Sequence, residues 1–386
     1  MQSVTQAPTD IALNHNPYPF YHRIRPLGPL VWWEDYNMPV APSHAVVSAL
    51  LRDRRFGREN PFPPVIPAHQ APFYAVEAHS MLELEPPRHT RLRGLVLRAF
   101  TSRRIKALAP EIEELSHQLI DGLPDDPFDL LAHFAQHLPV IIIARLLGVP
   151  EDKAPDLLRW SNAMVRMYVA GRTRADEDAA AQAAQDFSAY LTTYIDARRA
   201  SPADDLITHL IAAEEDGERL STQELITTCI LLLNAGHEAT VHSLGNGVKT
   251  ALETGLRPDD PDAFTEEVLR YDPPLHMFTR YAMEDVDAFG HAFKKGEQVG
   301  LLLGAANRDP EVYADPDRFD PSRPMPAHTS FGAGLHFCVG APLARLELSI
   351  ALKALFDRCP NLKLVGTPDY ATNYHFHGLT RLLVTK

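Results

Sequence analysis

The sequence predicts a mainly α-helical protein with small β-sheets, organised as a single domain over residues 1–386. From Ile105 onward, apolar residues recur three and four positions apart, which is the spacing of helices that bury one face. The longest such segment, residues 221–255, is apolar on every side through most of its first half, which predicts a central buried helix. Short extended stretches elsewhere predict strands and hairpins.

Local signals mark where these elements begin and end. Ser221 and Glu224 form a Ser-x-x-Glu capping box at the start of the long helix, and Gly255 suits its C-terminus. Strand-like stretches occupy residues 28–43, 280–309, 361–368 and 378–386. No internal repeat or obvious linker divides the chain.

The composition argues against several classes of protein. With 37 basic and 50 acidic residues the net charge is −13, which argues against nucleic-acid binding and against docking on anionic membranes. The three cysteines are too few and too odd in number for a disulfide framework, which indicates a reducing compartment. Because neither a secretory leader nor an apolar run of about 18 residues is present, we expect a cytoplasmic protein without a membrane anchor. We also expect a monomer.

One cysteine lies in a glycine-rich loop directly ahead of a helical pattern. Gly332, Gly334 and Gly340 let the backbone around Cys338 turn sharply and approach a flat molecule closely. A helix that begins just after the cysteine, with Pro342 near its first turn, would present N–H groups and the positive end of its dipole to the sulfur. Both lower the pKa of a thiol, so Cys338 is a candidate thiolate ligand, although a lone cysteine is commonly a buried structural residue.

The complete string, Phe-Gly-x-Gly-x-His-x-Cys-x-Gly-x-x-Leu-Ala-Arg, resembles the haem-binding signature of the cytochrome P450 family. The nine matching positions are Phe331, Gly332, Gly334, His336, Cys338, Gly340, Leu343, Ala344 and Arg345. The resemblance implies a soluble bacterial P450 whose haem b lies between the long central helix and the helix after the cysteine loop. Cys338 would be the iron ligand, with Phe331, Gly332, Gly340 and Ala344 close to the cofactor.

Two further patterns match the family. Glu267 and Arg270 form a Glu-x-x-Arg pair on one helical face, and with Arg318 they resemble the buried structural triad of P450 proteins. The resemblance also assigns haem propionate contacts to a His-x-x-x-Arg pair, to an arginine on a strand and to the histidine of the cysteine loop. These residues are His89, Arg93, Arg280 and His336.

The centre of the long helix resembles the oxygen-activating motif of the family. Small Ala235 and Gly236 would let this helix approach the haem, and Glu238 would relay protons. The family threonine is replaced by Ala239, and Thr240 follows about 100° further round the helix. Thr240 could therefore act in its place only through a local distortion of the helix; an ordered water or a substrate hydroxyl is the alternative.

A zinc-hydrolase motif overlaps this region but is incomplete. His237 and Glu238 begin His-Glu-x-x-His, yet the next histidine is His242, five positions on and about 140° round the helix. The two imidazoles would not share a face, so we exclude a zinc site there.

Other segments bear on partners. Residues 88–106 carry seven basic side chains and no acid, which fits either a solvated helix face or a docking patch for an acidic redox protein.

Family comparison suggests that aromatic and apolar side chains from three segments line a substrate pocket. They are Phe62, Phe73, Tyr74, Leu275, His276, Phe278 and Phe376. For His276, an exposed position in a loop is an equally favoured interpretation.

The resemblance implies a monooxygenase that inserts one oxygen atom from O₂ into a small apolar organic substrate. Because the chain ends soon after the cysteine helix, electrons would come from a separate ferredoxin-type donor and its reductase. The missing threonine makes a peroxide-driven peroxygenase the first alternative, and a non-catalytic haem-thiolate sensor is the second.

Overall fold

Helices provide most of the secondary structure, as the sequence predicts. A computed structural model describes residues 1–125, 127–169, 171–215, 217–324 and 327–386. The helices in these ranges are α1 (Ile11–His15), α2 (Tyr18–Ile24), α3 (His44–Leu50), α4 (Ala71–Glu77), α5 (Arg88–Ala99), α6 (Ser102–Ala107), α7 (Ala109–Asp121), α8 (His137–Leu147), α9 (Ala154–Val165), α10 (Arg174–Ala200), α11 (Leu206–Ala212), α12 (Thr222–Thr254), α13 (Pro261–Tyr271), α14 (Leu303–Ala306) and α15 (Ala341–Arg358).

The strands are short and form small sheets. They are β1 (Gln2–Val4), β2 (Val31–Trp33), β3 (Met38–Ala41), β4 (Phe56–Gly57), β5 (Phe128–Asp129), β6 (Glu214–Glu215), β7 (Glu218–Arg219), β8 (Met277–Ala282), β9 (Val286–Ala288), β10 (His291–Phe293), β11 (Gln298–Leu302), β12 (Lys363–Leu364), β13 (Asp369–Tyr370), β14 (Leu379–Arg381) and β15 (Leu383–Thr385). The main sheet has the order β1-β2-β3-β11-β8-β4, and a second sheet has the order β12-β15-β5. Three two-stranded ribbons pair β9 with β10, β13 with β14 and β6 with β7. The strands expected in residues 28–43, 280–309, 361–368 and 378–386 are therefore confirmed.

The long helix α12 has the bounds that its capping signals predict. The Ser221 amide donates to Glu224 Oε2 at 2.8 Å, and the Glu224 amide donates to Ser221 Oγ at 3.2 Å, which completes the capping box. Gly255 follows the last turn with φ +71°, a conformation that glycine adopts without strain. Arg91 on α5 also pairs with Glu224, so the basic helix is joined to the start of α12.

Contacts divide the chain into two compact units. The first comprises residues 1–62, 113–135 and 239–386 and contains every sheet except the β6–β7 ribbon. Its core includes the fully buried Leu50, Val299 and Leu301 and an aromatic group around Tyr21 and Trp33. Each large apolar side chain buried there contributes about 1.5–3 kcal/mol.

The second unit comprises residues 63–112 and 136–238. Its helices α9 and α10 pack together, with the rings of Trp160 and Phe187 5.1 Å apart. Throughout the described ranges, no helix combines the length and apolarity that crossing a bilayer requires.

A buried ion pair organises the chain ahead of the cysteine loop. Glu267 and Arg270 on α13 are fully buried, and Arg270 Nε and Glu267 Oε2 lie 2.7 Å apart. Arg270 also donates to the main-chain carbonyls of Asn307 and Pro316, both at 2.9 Å, and of Arg318 at 3.3 Å. A buried charge pair is stable only when its remaining hydrogen-bonding groups are satisfied, and these carbonyls satisfy the guanidinium.

The prediction that Arg318 completes this network was wrong. The Arg318 side chain is 68% exposed and pairs with Asp320, and only its carbonyl reaches Arg270. Arg323, only 7% exposed, places Nε 3.4 Å from Glu267 Oε1 and donates to the Arg318 carbonyl at 2.9 Å. Both arginines belong to the aspartate-rich segment of residues 315–323. Residue type alone therefore did not show which of the two side chains is buried beside Glu267.

Replacing Arg323 with alanine should therefore lower the free energy of unfolding by about 3 kcal/mol, because Glu267 would lose one of its two buried cationic partners. Arg318→Ala is the matched control and should cost less than about 0.5 kcal/mol, because the carbonyl that binds Arg270 is retained. Equilibrium unfolding in urea measures both values. Equal losses in the two variants would contradict the assignment.

Candidate active site

The cysteine loop is a tight, glycine-dependent turn closed by main-chain hydrogen bonds. The Cys338 amide donates to the Phe331 carbonyl at 2.9 Å, and the Gly332 amide donates to Thr329 at 2.8 Å. Gly332 and Gly334 have φ of +67° and +69°. A Cβ at Gly334 would also lie 2.6 Å from the Leu51 carbonyl oxygen, so a larger residue there would displace the loop.

Cys338 differs from the other two cysteines in its surroundings. Cys229 is buried within α12, where burial raises the pKa of its thiol to about 12, and Cys359 is buried at the C-terminal end of α15. Cys338 is only partly buried and lies three residues before α15, as the sequence predicts. A Cβ at Gly340 would lie 3.8 Å from the Cys338 sulfur, an ordinary van der Waals separation, so this glycine lies alongside the sulfur.

The helix behind the cysteine is attached to α13 by polar contacts. Arg345 on α15 pairs with Glu266, with Nη2 and Oε2 3.0 Å apart, and its guanidinium lies 4.6 Å from the centre of the Phe331 ring. One turn further on, Ser349 Oγ lies 2.6 Å from Asp262 Oδ1. Glu266 was not identified from the sequence, although it directly precedes the Glu-x-x-Arg pair on α13.

Glu266 is held in its charged form. Burial raises its pKa, but the hydrogen-bonded Arg345 and the nearby His328 outweigh that effect and lower the pKa to about 2. His328 Nε2 lies 3.3 Å from Glu266 Oε2 and belongs to the segment that enters the cysteine loop. This carboxylate therefore links both the entry to the loop and the helix that leaves it.

The residues that enter the loop are also fixed by buried hydrogen bonds. Asn307 Nδ2 donates to Ser330 Oγ at 2.7 Å, and Ser330 Oγ donates to the Leu269 carbonyl on α13 at 2.6 Å. The Thr329 amide donates to Asn307 Oδ1 at 2.8 Å. These contacts leave the start of the loop little freedom to move away from α13.

Two of the predicted propionate contacts lie in the first unit. His336 ends a short 3₁₀ turn, Gly334–His336, within the cysteine loop and is half-buried. Arg280 on β8 is buried and donates to the Thr279 carbonyl at 2.8 Å. Phe278, two positions earlier on the same face of β8, would be 3.3 Å from a Cβ at Gly332. Arg280 thus lies on the strand face that meets the loop.

The other two predicted contacts, His89 and Arg93, lie on α5 in the second unit. His89 is buried in the first turn, and Arg93 is half-buried one turn later. Their spacing of four residues places both on one side of α5, in agreement with the sequence interpretation. Arg91, which lies between them in the sequence, forms an ion pair with Glu224.

The central part of α12 has one open face and one buried face. Ala235 is exposed and Glu238 is 23% exposed at its side chain, whereas His237, Thr240 and Val241 are buried. At about 100° per residue, Ala239 falls on the same side as Ala235 and Glu238. A Cβ added at Gly236 would meet no other atom within 4 Å.

This geometry bears on the two motifs that the sequence suggested for α12. The helix is regular from Thr222 to Thr254, so the distortion that would carry the Thr240 hydroxyl towards the open face is not present. His237 is buried, whereas His242 packs near Phe376, with ring centres 6.3 Å apart. The two histidines diverge, as expected from their spacing, and do not form a zinc-hydrolase site.

The residues predicted to line the pocket differ in how far they are buried. Leu275 and Phe376 are half-buried and form a β-bridge, and Phe278 is also half-buried. Phe62 is largely exposed, Phe73 is buried and Tyr74 is half-buried. His276 is 1% exposed and is bonded to Tyr21, so its predicted role as a pocket residue was wrong. Its ring turns into a polar core.

The residues of the loop fit a planar cofactor that takes one thiolate ligand. A single partly buried cysteine precedes a helix, a glycine lies alongside its sulfur, and a buried arginine lies on the strand that meets the loop. A thiolate in this setting suits iron in a porphyrin, because the arginine can meet a propionate.

Comparisons with known proteins agree with this chemistry. The model of the family described as Cytochrome P450 matches residues 262–368. The cytochrome P450 monooxygenase PikC of Streptomyces venezuelae is 39% identical over 371 residues, which cover 92% of this chain and 86% of that protein. The vitamin D(3) 25-hydroxylase of Pseudonocardia autotrophica is 38% identical over 389 residues, covering 96% and 94%.

A solved structure extends the likeness to the fold. The crystal structure of P450BioI in complex with an acyl carrier protein ligated to hexadec-9Z-enoic acid has a TM-score of 0.91 at 35% identity. The alignment covers 97% of this chain and 99% of that chain.

The charge of Glu266 yields a test of how the loop is held. Glu266→Gln should lower the free energy of unfolding at pH 7 by about 1–2 kcal/mol, a value discounted for partial exposure. The pKa of this group is about 2 in the folded protein and about 4.3 when unfolded, so its contribution is complete above that range and is lost as the pH falls towards 2. Urea unfolding at pH 7 and below pH 4 measures the change.

Asp357→Asn is the control for this experiment. Asp357 lies on α15, the helix that carries Arg345, in an exposed pair with Lys353, and its replacement should cost less than about 0.5 kcal/mol. If the loss in Glu266→Gln is the same at both pH values, the carboxylate does not act through its charge.

Proposed function

This chain belongs to the cytochrome P450 family, and from that premise we propose that it inserts one atom of dioxygen into a C–H bond or alkene of an apolar organic molecule. The other oxygen atom leaves as water. The chain is a haem-thiolate monooxygenase, and we propose that its cofactor is haem b with Cys338 as the ligand. The observation that carries this proposal is Cys338 itself, held in a glycine loop immediately before α15.

The proposed cofactor contacts come from the residues already described. When bound, haem supplies an electron-rich, thiolate-ligated iron at which dioxygen is activated. Main-chain and small side-chain atoms of the loop and its helix would accommodate the ring, and the open face of α12 would provide space for dioxygen. The residues in these roles are Phe331, Gly332, Gly340, Ala344, Ala235 and Gly236. The propionates would be held by Arg280, His336, His89 and Arg93.

Proton delivery rests on Glu238. Its carboxyl is partly exposed on the open face of α12, where a general acid can exchange protons with water and pass them to the site. Thr240 is turned to the buried face, and Ala239 offers no hydroxyl. We therefore propose that Glu238 is the main relay group and that Thr240 contributes little, with ordered water in place of the usual alcohol.

The basic stretch supports an acidic electron donor. Of its seven cations, Arg91 pairs with Glu224 and Arg104 lies 3.7 Å from Asp204, whereas Arg88, Arg98, Arg103 and Lys106 remain exposed. Exposed cations on a chain of net charge −13 attract an acidic partner locally and raise its association rate. A ferredoxin-type protein with a separate reductase fits this surface.

Two of the relatives and the apolar segments support an apolar substrate. One relative is named for vitamin D(3) hydroxylation and another was crystallised with a fatty acyl chain on a carrier protein, and vitamin D(3) and fatty acyl chains are mainly apolar. Leu275, Phe278 and Phe376 supply apolar surface from the first unit. We propose a small apolar organic substrate, converted by a cytoplasmic monomer.

Cys338→Ser tests the ligand directly. The variant should lose the red-shifted absorption of the reduced carbon monoxide complex, because that band requires a thiolate bound to the iron. Cys359→Ser is the control and should retain the band, since this buried cysteine lies at the far end of α15. A red-shifted band in Cys338→Ser would contradict the assignment.

Glu238→Gln should lower product formation by about 100-fold, since positioned general acids contribute about 10² to 10⁴. Thr240→Val should leave product formation nearly unchanged, because its side chain lies on the buried face of α12. Product per NAD(P)H oxidised, measured with ferredoxin and its reductase, checks both variants. If product forms at equal rates in the wild type and Glu238→Gln when peroxide alone is supplied, a peroxygenase is favoured. If the protein binds an organic ligand but forms no product, a haem-thiolate sensor is favoured.

A further inference from the structure

A buried cluster of two histidines and an aspartate lies in the first unit and has no part in the proposed oxygen chemistry. Asp272 directly follows α13, His276 directly precedes β8, and His377 lies in the loop between β13 and β14. One potential ligand atom from each lies within 4.8 Å of the others. The three residues are 4%, 1% and 4% exposed.

The decisive observation is a buried imidazole nitrogen without a partner. His276 Nδ1 lies 2.7 Å from the Tyr21 hydroxyl, but His276 Nε2 is buried and has no hydrogen-bond partner among the described residues. An unsatisfied buried polar atom is costly, and native proteins rarely keep one without a ligand, ion or water to satisfy it. Gly304 leaves room for the ring, since a Cβ there would lie 2.6 Å from His276 Nδ1.

The carboxylate is already oriented by other side chains. Tyr18 donates to Asp272 Oδ1 at 2.8 Å, and Tyr370 donates to Asp272 Oδ2 at 2.9 Å. His377 Nε2 lies 3.2 Å from Asp272 Oδ1, and its ring stacks on Tyr370 with centres 4.0 Å apart. Outer hydrogen bonds of this kind fix the orientation of metal-binding carboxylates and imidazoles.

The basic side chains near the cluster are paired with other carboxylates. The nearby cations Lys249 and Arg308 have their own carboxylates, Glu253 at 2.9 Å and Asp317 at 3.1 Å.

We propose that Asp272, His276 and His377 bind a divalent transition-metal ion, with Zn²⁺ as the best fit. Two imidazoles and one carboxylate, completed by a water molecule, form a common tetrahedral zinc donor set. Tetrahedral zinc bonds of about 2.0–2.2 Å place neighbouring ligand atoms about 3.3 Å apart. Asp272 Oδ1 and His377 Nε2 already lie 3.2 Å apart, and their direct contact would be replaced by two bonds to the metal. The ion would join the C-terminal loop to the segment between α13 and β8.

Metal content tests the proposal on the haem-loaded protein. Wild type expressed with added zinc sulfate and passed over a chelating resin should retain one zinc ion per chain, with haem iron counted separately. His377→Gln should weaken zinc binding by more than about 100-fold, beyond the 10- to 100-fold lost when only an outer partner is removed. Competition with a chromogenic chelator gives the dissociation constants.

His375→Gln is the matched control, because this histidine lies on the same loop but outside the cluster. It should bind zinc as the wild type does. The reduced carbon monoxide band identifies variants that are folded, and zinc should raise the Tm of wild type and His375→Gln but not of His377→Gln. Absence of zinc from the wild type, or equal zinc binding by folded His377→Gln, would overturn the proposal. The three residues would then form a hydrogen-bonded cluster without a metal ion.

Discussion

The buried pair of Glu267 and Arg270 is the interaction on which the position of the cysteine depends. Removing a full charge from water is costly, and the protein meets that cost by giving Arg270 three main-chain carbonyls in addition to its carboxylate partner. Glu267 in turn accepts from the Asp320 amide at 2.7 Å. The main-chain partners of the pair, three carbonyl acceptors and one amide donor, lie between residues 307 and 320. One side-chain pair therefore fixes an irregular stretch that has no strand or helix to hold it.

The same helix then fixes the sulfur. From α13, Leu269 accepts from Ser330, Glu266 pairs with Arg345, and Asp262 bonds to Ser349, so both arms of the loop are attached to one rigid element. A thiolate ligand would need this rigidity, since displacement of the sulfur would alter its bond to the metal. The loop glycines provide the turn, but α13 determines where the turn lies.

Local signals in the sequence predicted much of this. The capping box located the start of α12, and the glycine spacing around Cys338 identified the loop, because both depend on residues close together in the chain. The inward arginine, Arg323, and the carboxylate Glu266 were missed because their partners lie far away in sequence, and some are main-chain atoms that no residue type reveals. His276 was misplaced because a loop histidine ahead of a strand gives no sign of which way its ring turns.

The helix α12 shows how a regular structure constrains chemistry. Taking Ala235 as zero, Glu238 and Ala239 fall about 60° and 40° to either side, whereas His237, Thr240 and Val241 fall about 120–160° away. Burial follows the same division, with the first group open and the second enclosed. A hydroxyl moved by one position is therefore not a small change, because a rotation of about 100° carries it from the open face to the buried face. This division is the reason for proposing Glu238, on the open face, as the proton relay, with an ordered water or a substrate hydroxyl in the place that a hydroxyl at position 239 would fill.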